Sequence, residues 1–281
     1  METNTSIFGT SNRFRVFTAV KYLTFALLFI NIFLFLQEEV LALEHTFAGD
    51  LEFGQLIQSF AATIDTASWV LLLLLFELET SVLDDSKIEG ATKWFLHGVR
   101  GLCYIAIVYA FTGYYAELIA IYDVTLTSIV DPCTLIAQDL SVLITIDEYL
   151  PLDAESCAAM GSDIYRQNGF DIISDGETLN AVQRLAWTDL INSAAWILVV
   201  VLLEIEVRLQ LRGKLTDGVM SITKVVKFVL YGTLFLAAVF WGFKGDLLDF
   251  WDASMWLFAF VFIEMNVFEW QYETTQLEDA T

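Results

Sequence analysis

Apolar residues gather in six blocks along the chain, at about 22–37, 58–76, 101–122, 186–203, 225–243 and 250–268, with the charged residues concentrated between them. The blocks are continuous rather than alternating, and a helix needs about 17–25 such residues to cross the hydrocarbon core of a bilayer. The pattern therefore predicts six transmembrane spans. Both prolines, Pro132 and Pro151, lie outside the blocks, so proline kinks none of them.

Three of the blocks repeat one phrase. "ASWVLLLLLFELET" from Ala67, "AAWILVVVLLEIEV" from Ala194 and "SMWLFAFVFIEMNV" from Ser254 align on Trp69, Trp196 and Trp256. Four residues before each tryptophan stand Asp65, Asn192 and Asp252; eight residues after come Glu77, Glu204 and Glu264; two further on are Glu79, Glu206 and Asn266. A D/N-x3-W-x7-E-x-E/N phrase occurring three times marks an internal repeat. The agreement continues past the span ends, because Glu77 to Arg100 and Glu204 to Lys227 are both 23 residues. Span 1 opens with "VKYL", which puts Lys21 in the role of Arg100 and Lys227.

The expected fold is an all-α integral membrane protein of six helices built as three two-helix hairpins. Residues 1–91 hold spans 1 and 2, residues 92–216 hold spans 3 and 4, and residues 217–281 hold spans 5 and 6 with an acidic tail. Span 1 belongs to the repeat, so it is expected to be retained rather than cleaved as a signal peptide. The segment 123–183 has no counterpart in the other hairpins. It is expected to form a small external cap, of one or two helices or of a strand pair in "SVLITIDEYL".

Orientation comes from the basic residues, since short cytoplasmic loops keep Lys and Arg. Of 14 such residues, 11 fall in alternate segments: Arg13, Arg15 and Lys21; Lys87, Lys93 and Arg100; Arg208, Arg212, Lys214, Lys224 and Lys227. Arg166, Arg184 and Lys244 lie on the other side. Both termini are thus expected in the cytoplasm, with the chain in a bacterial inner membrane and the lipid bilayer as its first partner.

Composition agrees: 57% of residues are hydrophobic, and the mean hydropathy is +0.60. The net charge of −22 gathers in the expected cap, where ten acids from Asp131 to Glu177 face only Arg166. Such a surface repels nucleic acid and suits either a salty solvent or a partner docking on the cap. Cys133 and Cys157 share that segment, and two thiols on the oxidising side of a membrane are expected to pair.

A charge at bilayer depth costs about 2.5–3.5 kcal/mol on insertion scales unless it is paired or hydrated. Matching heights suggest the pairs Lys21–Glu77, Arg100–Glu204 and Lys227–Glu264, serving either as struts or as a cytoplasmic gate. Asp65, Asn192 and Asp252 form an outer layer ~18 Å away at 1.5 Å per residue. Trp69, Trp196 and Trp256, one turn deeper, either pack the interior or form a constriction.

Three hairpins carrying acids and bases resemble the mitochondrial carriers in symmetry alone. The P-x-D/E-x-x-K/R motif of that family does not occur, and none of its residues is carried over. Catalytic signatures such as HExxH, GxSxG, Walker A and GxGxxG do not occur either, and the two histidines, His45 and His97, stand far apart in sequence. No enzyme activity, cofactor or metal is expected. The chain is expected to be a transporter or channel for a cation or a cation-coupled solute, or alternatively a non-catalytic subunit whose charges hold helices in register.

Overall fold

The apolar blocks fold as helices, several of which run on past them. The computed structural model describes residues 11–46, 59–79, 90–129, 131–211, 216–244 and 246–262. Helices α1 (Ser11–Thr46), α2 (Ala61–Glu77) and α3 (Gly90–Tyr122) lead into an insert. The insert comprises β1 (Val124–Leu126), a 3-10 helix (Pro132–Gln138), β2 (Ser141–Leu143), β3 (Tyr149–Pro151), α4 (Ala154–Ala159), β4 (Ile164–Gln167) and β5 (Ile172–Asp175). Then follow α5 (Gly176–Leu211), α6 (Asp217–Lys244) and α7 over 247–262. Polar ends lengthen the helices: α1 and α5 have 36 residues each, about 54 Å at 1.5 Å per residue, well beyond a hydrocarbon core of about 30 Å.

Among the described residues, four helices are long and apolar enough to cross a membrane, over Arg15–Leu43, Gly90–Tyr122, Gly176–Glu206 and Gly218–Lys244. Their surfaces match that solvent. Along α3, Leu102, Ile105, Val108, Tyr109, Tyr115 and Ile119 are exposed, while Leu96, Cys103, Ile107, Ala110 and Leu118 face inward. An apolar stripe of that length would be a liability in water and is an ordinary surface in lipid.

Two units make up the chain, residues up to Asn31 with those from Ala238 onward, and Ile32–Ala237. In the first, Phe17 meets Phe262 edge-on with ring centroids 5.3 Å apart, and Asn31 bonds to Asp252. Rising numbers in α1 meet falling numbers in α7, so the two helices run antiparallel. In the second unit, α3 packs on both α2 and α5.

The insert corrects the all-α expectation. It holds a five-stranded sheet of order β1-β4-β5-β2-β3, with β2 and β5 parallel and the other pairs antiparallel. Alternate residues serve its two faces. Leu143 and Ile172 pack with Leu118, Ile121, Leu179 and Val182 from the ends of α3 and α5. Val142 and Ile173 pack on the other side with Leu135, Leu152 and Cys157. β2 and β5, buried on both faces, show no alternation, and β1, β3 and β4, of three or four residues, are too short to show a period, which hides the sheet in the sequence. Asn168–Gly169 turns β4 into β5, with Gly169 at φ 83° where a side chain would be strained. Asp175 ends β5 and caps α5, accepting from the N–H groups of Glu177 (3.0 Å) and Thr178 (2.8 Å). The expected cap therefore ends at Asp175, not at 183. The expected Cys133–Cys157 disulfide is present, closing a loop across 24 residues between the 3-10 helix and α4. In the chain-entropy view such a loop stabilises by about 3 kcal/mol.

Candidate functional site

Acid–base pairs join consecutive helices of the second unit, but the acids are not those that height alone selected. Arg100 of α3 binds Glu79 at 2.6 Å, and Lys227 of α6 binds Glu206 of α5. Both pairs are 21 residues apart and half-buried. Arg100 thus meets Glu79 rather than the expected Glu204, and the expected Lys227–Glu264 pair falls outside the described residues. Residues two apart on a helix point about 200° away from each other, so of the two acids in E-x-E only one can face the next helix. Glu204 turns outward to Arg208 on its own helix at 3.3 Å. Glu77 is buried. Lys21, also buried, lies in the first unit, 5.0 Å from the Tyr22 ring centroid, whereas Glu77 lies in the second. Glu264 and Asn266 are outside the described residues.

The outer layer of the repeat is polar and largely enclosed. Asp65 is buried; Asn192 has a buried Oδ1 that meets no hydrogen-bond donor; Asp252 accepts from Asn31 Nδ2 at 2.7 Å and from the Trp256 indole. Trp256 therefore reaches back one turn to the acid of its own repeat, which gives D-x3-W a local reason. Trp69 and Trp196 meet with centroids 6.2 Å apart and rings tilted at 52°. Trp196 and Trp256 are buried, so these rings fill interior space.

Further acids escaped the repeat analysis. Glu39 of α1 accepts from the backbone N–H groups of Ala62 (2.8 Å) and Thr63 (3.3 Å) and from the Thr63 hydroxyl, so it caps α2 from another helix. Phe60, at the N-cap position, offers no side-chain acceptor of its own. Glu117 of α3 stands in electrostatic reach of Asp147 from the insert, Asp189 of α5 and Glu39. These four carboxyl groups lie at the insert end of the second unit. Tyr149 lies beside them; burial, then the charges of Glu117 and Asp147, pushes its phenol well above the usual range, and its hydroxyl donates to Ile146 O at 3.0 Å. Lone polar residues inside apolar blocks, such as Glu117 in "YYAELIAIY", were the available signal.

No group of three or more metal-ligating side chains close enough to hold an ion occurs among the described residues. A cavity of about 10 Å³ beneath the sheet, lined by Ile121, Leu143, Ile172 and Leu179 among others, has room for a single water at most. Compared with family models, curated proteins and solved structures, the chain matches none.

Proposed function

We propose that the chain is an integral membrane protein of six spans in three repeated hairpins, with both termini cytoplasmic, and that it moves a cation or a cation-coupled solute without catalysing a reaction. The observation that carries this reading is the convergence of Glu39, Glu117, Asp147 and Asp189 from three helices and the insert. Like charges gathered in a low dielectric are stable only with protons or cations to offset them. Glu77 and Asp65 add buried acids along the helices, and Asp252 a half-buried one. The acidic insert then draws cations toward that end of the bundle.

A second reading rests on the pairs Arg100–Glu79 and Lys227–Glu206, whose equal spacing suits a strut as well as a gate. On that reading the chain is an assembly subunit, and a protein partner docks on the insert. Reconstitution separates the two. Purified protein in liposomes is expected to pass H⁺, Na⁺, K⁺ or a divalent cation, and Glu117→Gln is expected to lower that flux about tenfold, some 1.4 kcal/mol in barrier. Liposomes that pass none of these ions, from protein that co-purifies with a fixed partner, leave the assembly role.

A further inference from the structure

Asn31 is the single polar residue of the run from Phe25 to Phe35 in α1, and it is wholly buried. It lies close to the middle of the span Arg15–Leu43. Its Nδ2 donates to Asp252 Oδ1 at 2.7 Å, while its Oδ1, cut off from solvent, meets no donor. Turning the carboxamide over is no remedy. It sets Oδ1 against a carboxylate and strands both amide hydrogens, a worse outcome than one orphaned acceptor. The other group bonded to Asp252 is the Trp256 indole, also neutral. An orphaned carbonyl oxygen thus stands beside a carboxylate held by two neutral donors, with no basic side chain among the described residues bonded to either.

We infer that Asn31 and Asp252 form a binding site for one monovalent cation, Na⁺ or a proton held on the Asp252 carboxyl. The carboxamide oxygen and the carboxylate both offer lone pairs to such a guest, and neither offers it a hydrogen. Valence follows from electroneutrality. One carboxylate with one unit of positive charge is neutral, whereas a divalent ion leaves a net charge at bilayer depth, where charge is most costly. The site rests on the cation reading above and narrows it to monovalent ions. It lies wholly within the first unit, apart from the acids gathered around Glu117.

The full-length protein in detergent tests the site by calorimetric titration with NaCl against choline chloride, with carboxyl infrared spectra recorded in parallel. If Na⁺ is the guest, one ion binds per chain, Asp252→Asn abolishes the heat, and Asn31→Leu weakens binding about tenfold, the loss of one good ligand. If the guest is a proton, sodium gives no heat, and a protonated-carboxyl band disappears in Asp252→Asn and shifts in Asn31→Leu. Asp252→Asn keeps the shape and an acceptor for Asn31; should it elute as aggregate, Asn31→Leu carries the decision. Sodium heat and carboxyl bands that match wild type in the folded variants overturn the site. Binding that depends on Asp252 in protein whose liposomes pass no cation upholds the site and ends the transport reading. Flux that survives Asp252→Asn, with no binding at Asp252, does the reverse.

Discussion

Glu39 and Asp153 solve the same problem at different ranges. Four N–H groups open every helix without partners, and a carboxylate satisfies them well. Asp153 does so locally, accepting from Glu155 and Ser156 at 2.9 Å each, while Ser156 Oγ returns a bond to the Asp153 N–H. That D-x-x-S box is legible in the sequence. Glu39 is not legible as a cap, because it reaches α2 from 23 residues away in sequence. Asn31 is equally silent: one amide in an apolar run announces that it needs a partner without naming Asp252. The Asp153 cap has a consequence in acid. The N–H groups of Ser156 and Glu155 hold its carboxyl below the usual aspartate range. Its folded-state pKa being depressed, its stabilisation is complete above the unfolded value of about 3.9 and is lost as pH falls through the folded one. Thermal melts of the wild type are expected to show the insert losing stability below about pH 4, and Asp153→Asn, which keeps an acceptor but does not titrate, to flatten that part of the profile. An unchanged acid limb in Asp153→Asn assigns the loss to other carboxyls.

Among the elements, the repeat was legible in its period and illegible in its azimuth. Counting residues from Trp69 and Trp196 places acids and bases at one height, yet the height is shared by two acids pointing opposite ways, and only packing selects Glu79 and Glu206. The strands of the insert were hidden for a different reason. Runs of three or four residues are too short to show a period, so "SVLITIDEYL" indicated β2 and β3 while β1, β4 and β5 gave no signal. The pairs themselves can be weighed by exchange. Removing Glu79 strands Arg100 in a half-buried position, with a cost of about 1–3 kcal/mol, between the values for exposed and buried pairs. Glu79→Gln and Arg100→Gln are each expected to lower the melting temperature in micelles, and the double variant to lose less than the sum. The same cycle at Glu206 and Lys227 should give a matching coupling, because the two pairs share spacing and exposure. Strictly additive losses at both sites mean that neither pair holds its helices together.

At the scale of the whole molecule, charge placement carries the orientation. The long apolar helices are compatible with a bilayer, and α1 and α7 run antiparallel, as they would with four crossings between them. What the helices alone leave open is which end faces the cytoplasm, and the proposed orientation rests on the 11 of 14 basic residues that fall in alternate segments. The insert between α3 and α5 carries many acids and a disulfide, both of which suit the outer side. With Cys103→Ala as background, a single cysteine at Lys87 and another at Glu148 report the two sides of α3. A membrane-impermeant maleimide is expected to label Glu148→Cys in intact cells and Lys87→Cys only after permeabilisation. The opposite result inverts the molecule and moves Arg100–Glu79 and Lys227–Glu206 to the outer face. Equal labelling of both positions in intact cells means that α3 does not cross, and with it falls the six-span arrangement on which a route past Glu117 depends.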